Sequence, residues 1–329
     1  MKAFITGGAG FIGYHLAKEL LAHGYEIDLA DDFSRGVRDA DLEVLCQDGR
    51  VRLIEADLAA AAGTAAIGAD DYDYVYHLAA IIGVEHVLER PYDVLKGNMD
   101  LLYNAIAIAR RQKDLKRFVF TSTSEVYDGT LKYFGLEMPA REDTPLATSD
   151  LTHPRTSYML SKIYGEAVLN QSGLPVTVVR PFNFYGPRMG MAHVVDQKMQ
   201  QLHDAAPGDE VVVYSPEHRR TFCYIYDAVA IMRRLAESPD GMQVFNVGTQ
   251  EDGLTMRDVC SLIAEVAESP ATLVDGPTTP GSPVRRCPSM EKVRQTIGDY
   301  HVTTLREGLE RTYRWYVEHV FEGDDACAR

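Results

Sequence analysis

A tyrosine and a lysine stand four residues apart in the segment Tyr158-Met159-Leu160-Ser161-Lys162. In a helix this spacing places both side chains on one face. A free tyrosine, with a pKa of about 10, is a poor base at neutral pH, but a neighbouring ammonium favours the phenolate and lowers that pKa. The pair therefore predicts a phenol that acts as a base and a lysine that activates it.

Thr123 is the hydroxyl best placed to share a proton with Tyr158, because it follows a strand predicted over residues 117–121. Hydroxyls at such a position can also be simple helix caps, and a tyrosine–lysine pair can also lie on an ordinary surface helix. The catalytic interpretation is favoured because both groups lie downstream of a nucleotide-binding pattern at the start of the chain.

That pattern begins with a buried strand, predicted over residues 2–6, and a helix predicted over residues 11–23 that Gly24 ends. Glycines at such a strand–helix turn allow a tight bend, close approach of backbone N–H groups to a pyrophosphate, and close packing of the helix on the strand. The helix N-terminus presents further free N–H groups to the phosphates. The residues concerned are Gly7, Gly10, Phe11, Ile12 and Gly13.

An acidic residue about 20 residues further on completes a dinucleotide site, because it holds the ribose hydroxyls. Asp31 stands there, after a strand predicted over residues 25–30, and Asp32 follows it. A carboxylate at this point repels a 2′-phosphate, so the sequence predicts NAD rather than NADP as the cofactor.

Strands predicted at residues 51–55, 72–77, 117–121 and 176–180 alternate with helices, two of them long, at 98–112 and 158–171. Such alternation predicts an α/β fold with a Rossmann-type, doubly wound parallel sheet. The small residues Leu78-Ala79-Ala80 after the fourth strand either leave room for a cofactor or form a tight packing corner.

Beyond Pro181 the pattern becomes irregular, with a helix predicted over residues 191–203, a short strand over 210–214 and a loop over 274–288. We interpret residues 1–181 as an NAD-binding domain to which residues 222–250 return. Residues 182–329 then form mainly a smaller substrate-binding domain, closed by an amphipathic helix over 303–320.

The composition limits the class of partner. A net charge of −15 argues against nucleic acid or an anionic membrane surface, although it allows a small anionic substrate held by local arginines. The sequence shows no signal peptide and no long apolar span, so a cytoplasmic protein is expected. No metal site or disulfide framework is expected, because the cysteines are odd in number and scattered, at Cys46, Cys223, Cys260, Cys287 and Cys327.

Together these motifs resemble the extended short-chain dehydrogenase/reductase family that acts on nucleotide sugars. The similar segments run nearly from end to end of the chain. They are Gly7-x-x-Gly10-x-x-Gly13, Asp31, Asp57-Leu58, His77-Leu78-Ala79-Ala80, Asn98, Ser122-Thr123-Ser124-Glu125-Val126-Tyr127, Tyr158-x-x-x-Lys162, Arg180-Pro181-Phe182-Asn183, Gly186-Pro187-Arg188, Arg220-Thr221-Phe222-Cys223-Tyr224-Ile225 and Asn246-Val247-Gly248.

The resemblance implies a role for each matched residue. The catalytic group would be Thr123, Glu125, Tyr158 and Lys162, and Lys162 would also hold the nicotinamide ribose. Asp57 and Leu58 would contact the adenine, while Leu78, Ala79, Ala80 and Asn98 would line the NAD site. A UDP-linked sugar would be bound by Thr123, Asn183, Arg188, Arg220 and Arg286. For the arginines, a surface salt bridge is the alternative.

Three reactions of this family start alike, with oxidation of C4, and the sequence bears on the choice among them. Ser124 stands where 4,6-dehydratases carry the Asp that protonates the leaving hydroxyl. Thr123-Ser124-Glu125 is similar to the UDP-glucuronate decarboxylases, as are Pro154-Arg155-x-x-Tyr158 and Arg285-Arg286-Cys287-Pro288. The resemblance implies that Arg286 engages the sugar carboxylate and that Glu125 acts as acid/base or repels that carboxylate.

The leading interpretation is therefore a UDP-glucuronate decarboxylase that gives UDP-xylose or its 4-keto precursor. A UDP-sugar or UDP-uronate 4-epimerase comes second, and a 4,6-dehydratase third. A non-catalytic NAD-binding sensor is disfavoured because Thr123, Tyr158 and Lys162 are all present. A homodimer is expected, because the helices at 98–112 and 158–171 carry more apolar surface than one core needs.

Three features depart from the decarboxylase pattern and bear on the sugar that is accepted. Asp128 replaces a common glycine, the stretch 131–140 is longer than usual, and residues 81–84 differ from the usual serine- and proline-rich loop.

Overall fold

The structure, a computed structural model, describes residues 1–68, 71–238, 242–249, 253–279 and 282–322. The cysteines within these ranges, Cys46, Cys223, Cys260 and Cys287, are all free thiols. Cys327 lies outside the described residues. Within the described ranges, no helix has both the length and the apolar character needed to cross a bilayer.

The strands of the described chain are β1 (Lys2–Thr6), β2 (Glu26–Asp31), β3 (Val51–Glu55), β4 (Tyr74–His77), β5 (Arg117–Thr121), β6 (Val176–Pro181), β7 (Phe184–Tyr185), β8 (Glu210–Val213), β9 (Arg219–Arg220), β10 (Cys223–Tyr224), β11 (Gln243–Val247), β12 (Leu254–Thr255), β13 (Thr272–Asp275) and β14 (Arg285–Arg286).

Its helices are α1 (Phe11–Ala22), α2 (Ala40–Cys46), α3 (Ala61–Ala66), α4 (Val84–Glu89), α5 (Pro91–Arg110), α6 (Asp128–Phe134), α7 (Thr156–Asn170), α8 (Val194–His203), α9 (Ile225–Ala236), α10 (Met256–Val266), α11 (Glu291–Ile297) and α12 (Leu305–Tyr316). A 3₁₀ turn at Ser124–Tyr127 precedes α6, and a π turn at Val317–Phe321 follows α12.

Seven strands form one parallel sheet in the order β11-β6-β5-β4-β1-β2-β3. The order reverses between β1 and β4, and Thr6 at the end of β1 lies opposite both Ala30 and His77. Ligands of doubly wound sheets bind at the carboxyl ends of the strands beside such a reversal. The Rossmann-type sheet predicted from the sequence is confirmed.

The two faces of the sheet are covered by different helices, as alternation along the strands requires. On β1, the side chain of Ile5 joins a core cluster with residues of α1 and α9. The side chain of the preceding residue, Phe4, points to the opposite face of the sheet and joins a second cluster with residues of α5. Both side chains are fully buried. This layered packing fixes the glycine turn on one side of the sheet edge and α7, which packs beside α5, on the other.

Much of the chain after β6 forms small sheets and helices around a third core cluster. Strand β8 pairs with β13, while β9 pairs with both β12 and β14. Helix α10 packs against α8 and α12. Strand β11 extends the large sheet by pairing with β6.

Some predicted element boundaries differ from the observed ones. The helix expected over residues 98–112 begins earlier, at Pro91, since a proline at the first position of a helix sacrifices no hydrogen bond. The loop expected over 274–288 contains β14, whose pairing with β9 holds it in place. The strands predicted over 2–6, 51–55 and 117–121 are confirmed at both ends.

Candidate active site

The turn after β1 leaves no room for side chains at two of its glycines. A Cβ atom on Gly7, whose φ is +70°, would lie 2.9 Å from the Ala79 nitrogen, and one on Gly13 would lie 2.2 Å from the Gly7 oxygen. The backbone therefore passes close to the loop after β4 and then enters α1, whose first N–H groups lack helical partners. A cradle of backbone N–H groups at a helix N-terminus fits the pyrophosphate of a dinucleotide.

The predicted ribose carboxylate, Asp31, lies at the end of β2 next to this cradle. Its side chain is buried and accepts hydrogen bonds from the backbone nitrogens of Ala9 at 3.0 Å and Phe33 at 2.9 Å. Burial raises the pKa of Asp31, and these two hydrogen bonds oppose the rise. Asp31 thus also fastens the glycine turn. The neighbouring Asp32 is exposed and caps the next turn through Ser34.

The loop after β4 is held by Asn98. Its side-chain oxygen accepts from the Ile81 nitrogen at 2.7 Å, and its Nδ2 donates to the Ile81 oxygen at 3.1 Å and to Ser161 Oγ at 3.3 Å. Asn98 therefore ties the Leu78-Ala79-Ala80 segment to the helix that carries Tyr158. Its side chain has a positioning role in addition to the predicted place beside the cofactor.

The predicted adenine loop, Asp57-Leu58, is fixed in a similar way. Asp57 Oδ1 accepts from the Ala59 nitrogen at 2.8 Å, and Asn104 Nδ2 donates to the Leu58 oxygen at 2.8 Å. The Leu58 side chain is buried in the core shared with α5. Asn104 was not singled out by the sequence, although its place on the same helix as Asn98 is a signal for it.

Thr123, Tyr158 and Lys162 come together as predicted from their types and spacing. The Thr123 hydroxyl lies near enough to the Tyr158 phenol to lower its pKa. Lys162 Nζ donates to the carbonyl of Thr121, the last residue of β5, at 2.8 Å and lies 5.7 Å from the centre of the Tyr158 ring. The lysine therefore lies under the phenol and is anchored to the end of a central strand.

Burial dominates the titration of this pair. Desolvation, reinforced by Glu125, raises the pKa of Tyr158, while Thr123 and Arg35 oppose the rise. Burial also lowers the pKa of Lys162 to about 8, against the attraction of Glu166 one turn further along α7. The expected lowering of the tyrosine pKa is thus not produced by the protein's own residues, because the loss of hydration outweighs their charges.

Three arginines and two carboxylates lie together beside the 3₁₀ turn that follows Thr123. Arg286 pairs in register with Arg220 on adjacent strands, and Arg286 Nη2 donates to Asp128 Oδ1 at 2.8 Å. Burial raises the pKa of Glu125, Asp128 adds to the rise, and the charges of Arg286 and Arg155 oppose it. Burial, aided by the nearby Arg286, lowers the pKa of Arg220 to about 10.

Asn183 contacts the segment that carries Arg220, a member of this cluster. Asn183 has a φ of +44° and donates from Nδ2 to the Thr221 oxygen at 2.8 Å. Arg220 donates to Ser282 Oγ at 2.7 Å and to the carbonyl of Arg219 at 2.8 Å. Both residues therefore frame the space between the sheet edge and the smaller sheets, where we expect the sugar nucleotide.

Arg188 has a different role from the predicted substrate contact. Its Nε donates to Asp39 Oδ2 at 2.5 Å, its Nη1 to the Ala9 oxygen at 2.9 Å and its Nη2 to the Val37 oxygen at 2.7 Å. The side chain is buried, so these partners occupy the guanidinium. Arg188 therefore braces the glycine turn against the chain that follows β7.

Arg35 is a site residue that the sequence reading missed. Its Nη1 donates to the Ile82 oxygen at 2.9 Å, and its charge lowers the pKa of Tyr158. It bridges the polar loop after Asp31 and the loop after β4, on either side of the predicted cofactor path. Its place four residues after β2, in a loop that opens with Asp32, was the available signal.

A family model described as the NAD dependent epimerase/dehydratase family matches residues 3–248. The chain belongs to this family. Membership agrees with the glycine cradle, the buried Asp31 and the Thr123–Tyr158–Lys162 arrangement. NAD is therefore the cofactor. Within the described ranges, no group of three or more His, Cys, Asp or Glu side chains could hold a metal ion.

Among curated members of this epimerase/dehydratase family, a UDP-N-acetyl-alpha-D-glucosaminuronate decarboxylase from Bacillus cytotoxicus is 30% identical over 96% of this chain and 98% of its own. A UDP-glucuronic acid decarboxylase 1 from Arabidopsis thaliana is 29% identical over 99% of this chain and 72% of its own. A solved NAD-dependent NDP-hexosamine 5,6-dehydratase, TunA, of tunicamycin biosynthesis is 27% identical, with a TM-score of 0.77 over 96% of this chain and 97% of its own.

Proposed function

We propose that this protein is an NAD-dependent decarboxylase of UDP-glucuronate that gives UDP-xylose or its 4-keto precursor. The observation that carries the proposal is the group formed by Arg286, Arg220 and Glu125 beside Tyr158. Arg286 and Arg220 lie in register on adjacent strands and would supply the positive charge that a uronate carboxylate needs, and Glu125 interacts electrostatically with both Arg286 and Tyr158. The decarboxylase names of the similar curated proteins support the same reaction class.

The reaction would begin at C4 of the sugar. Tyr158 takes the proton of the C4 hydroxyl, and the neighbouring Thr123 hydroxyl, which lowers the pKa of Tyr158, would stabilise the phenolate. Bound NAD supplies the acceptor for the C4 hydride and a positive ring that favours the phenolate. Lys162, buried beneath the phenol and held by the Thr121 carbonyl, adds a positive charge that no bulk water screens.

Oxidation at C4 turns the uronate into a β-keto acid. The bond between C5 and the carboxylate carbon then breaks, its electron pair forms an enolate with the C4 carbonyl, and carbon dioxide leaves. A proton must be returned to C5, and Glu125 is our candidate donor, because its raised pKa keeps a larger fraction protonated near neutral pH. Return of the hydride would give UDP-xylose, and release before that step would give the 4-ketone.

The alternative reactions of the family are less well supported by these residues. A 4,6-dehydratase needs an acid next to the threonine, and the buried side chain there is Ser124. A 4-epimerase needs only the Thr123–Tyr158–Lys162 group and remains the second candidate. The N-acetylated substrate in the name of the Bacillus cytotoxicus protein makes a UDP-N-acetylglucosaminuronate a further candidate with the same carboxylate chemistry.

We also propose that different parts of the chain bind the cofactor and the substrate. Residues 1–181, with 222–250, would bind NAD, because they hold the large sheet and the glycine cradle. Residues 182–329 would mainly bind the nucleotide sugar through Asn183 and Arg220, since the planar guanidinium suits a diphosphate.

We further propose a homodimer built on α5 and α7. The two helices pack side by side, and Tyr103 on one and Tyr164 on the other are both exposed, with their hydroxyls 2.7 Å apart. Tyr92, near the start of α5, is exposed as well. Such aromatic surface is typical of a subunit contact. A monomer in light scattering at micromolar concentration would contradict this assembly.

The reaction itself is tested by incubating the NAD-loaded protein with UDP-glucuronate. Carbon dioxide release, with a UDP-pentose or its 4-ketone in the mass spectrum, is the expected result. Interconversion of two 4-epimers without carbon dioxide would replace the decarboxylase by the epimerase.

A further inference from the structure

Asp128 is the carboxylate that this chain carries beside the arginine proposed to bind the sugar carboxylate. Asp128 Oδ1 lies 2.8 Å from Arg286 Nη2, and this ion pair joins residues 158 positions apart in the sequence. The Arg286 side chain is 17% exposed and that of Asp128 is 37% exposed, so the pair lies at the border of the site rather than in the core.

The position of Asp128 is set by the backbone around it. Asp128 is the first residue of α6. It directly follows the 3₁₀ turn and stands three residues after Glu125, which lies within that turn. The following Gly129 packs so closely that a Cβ atom there would lie 1.9 Å from the Ala147 oxygen. The start of α6 therefore packs closely against the Ala147 backbone, which helps to set the position of Asp128. On its other side, β14 holds Arg286 in register with Arg220.

A carboxylate on Arg286 has a direct consequence for a uronate. We propose that the Asp128 carboxylate is an internal competitor of the sugar carboxylate for the guanidinium of Arg286, so that Asp128 sets how strongly the site prefers a uronic acid. A uronate must either displace Asp128 or bind beside it, and both cost binding free energy through lost pairing or like-charge repulsion. A neutral hydroxymethyl group at C6 meets neither cost.

The inference rests on the proposed function, and its test measures binding rather than turnover. The Tyr158→Phe variant, loaded with NAD, serves as the background, because it keeps the site while preventing reaction. Calorimetry then gives the dissociation constants of UDP-glucuronate and UDP-glucose with and without Asp128→Asn. We expect Asp128→Asn to lower the dissociation constant of UDP-glucuronate about five- to tenfold and to change that of UDP-glucose less than about twofold.

Two further variants control the charge argument. Asp128→Glu keeps the carboxylate and should leave the preference between the two sugars near that of the background. Asp143→Asn removes an exposed carboxylate that pairs with Arg141 at 3.2 Å, and should change neither dissociation constant. Equal effects of Asp128→Asn on both sugars, or no effect on UDP-glucuronate, would overturn the inference, since a purely structural role acts on both alike.

Arg286→Ala separates this inference from the proposed function. If it abolishes the preference for UDP-glucuronate while Asp128→Asn does not strengthen that preference, only the competition is wrong. If it leaves the affinity for UDP-glucuronate unchanged, the carboxylate is bound elsewhere, and both the uronate site and the competition at Arg286 are refuted.

Discussion

Glu166, on the helix that carries Tyr158, and Arg180, on β6, form a bidentate ion pair. Arg180 Nε donates to Glu166 Oε1 at 2.9 Å and Nη2 to Oε2 at 2.6 Å, with both side chains almost fully buried. Two further hydrogen bonds complete the network. The Ser122 hydroxyl donates to Glu166 Oε1 at 2.6 Å, and Arg180 Nη1 donates to the Tyr127 hydroxyl at 2.6 Å. The network joins α7 to β6, to the residue that follows β5 and to the 3₁₀ turn, and so helps to set the spacing between Tyr158 and Glu125.

Glu166→Gln should therefore destabilise the protein by about 3–5 kcal/mol, because it leaves the buried Arg180 without a counter-charge. Urea unfolding followed by circular dichroism measures this free energy. Glu55→Gln is the matched control, since Glu55 pairs at 2.7 Å with Arg38 and both side chains are more than half exposed, and we expect a cost of about 0.5 kcal/mol or less. Equal costs for the two variants would contradict the network's role.

Tyr158→Phe should abolish hydride transfer and leave NAD bound, because the phenol oxygen is the base while the ring only packs. NADH absorbance after addition of UDP-glucuronate measures the transfer, and the cofactor content of the purified protein measures binding. Tyr313→Phe removes a phenol that bonds to His203 on the far helices, and should leave the transfer intact. Near-normal turnover of Tyr158→Phe would mean that another group takes the proton.

Arg286→Ala should weaken the binding of UDP-glucuronate by about 2–5 kcal/mol, because removal of the arginine leaves the sugar carboxylate unpaired. The binding of UDP-glucose should change little. Binding in the Tyr158→Phe background and carbon dioxide release in the otherwise unchanged protein are the two measurements. Arg257→Ala, which breaks an ion pair with Asp275 elsewhere in the second half, is the control. A similar loss for both sugars would point to a diphosphate contact instead.

The preference for NAD over NADP should depend on Asp31. Titration of both cofactors into stripped protein should show at least tenfold tighter NAD. Asp31→Asn should reduce the difference between the NAD and NADP dissociation constants. The amide oxygen can still accept a hydrogen bond from the Ala9 nitrogen, but the neutral side chain no longer repels a 2′-phosphate. NADP binding as tight as NAD by the unchanged protein would refute this assignment of Asp31.

Asp196 should make the protein less stable as the pH rises from about 4 to 7. Burial raises its pKa to about 7, against backbone hydrogen bonds that include that of His193, while an unfolded aspartate titrates near about 4. Between these values the folded state binds a proton that the unfolded state does not, so the free energy of unfolding falls by up to a few kcal/mol. Asp196→Asn should flatten that slope in urea titrations at several pH values. An unchanged slope would mean that Asp196 stays ionised in the folded state.

The sequence by itself determined the fold and singled out the candidate reacting groups. Strand, glycine turn, helix and acid are local patterns, and β1, β3 and β5 have the predicted bounds because each is a short run rich in apolar residues between polar segments. The spacing of Tyr158 and Lys162 likewise requires only one helix. These features depend on neighbours in the chain, which a sequence displays directly.

Only the tertiary structure decided what the charged side chains contact. The guanidinium of Arg188 braces the turn at Ala9, Arg286 lies beside Arg220 and Asp128, and Arg35 lies near Tyr158. Three of these pairs join residues more than a hundred positions apart in the sequence. The fourth, Arg220 and Arg286, joins residues 66 positions apart on β9 and β14, strands of two residues that are too short to be recognised in the sequence. A charged residue looks alike in the sequence whatever its partner, because its energy is set by burial and by the charges that folding places around it.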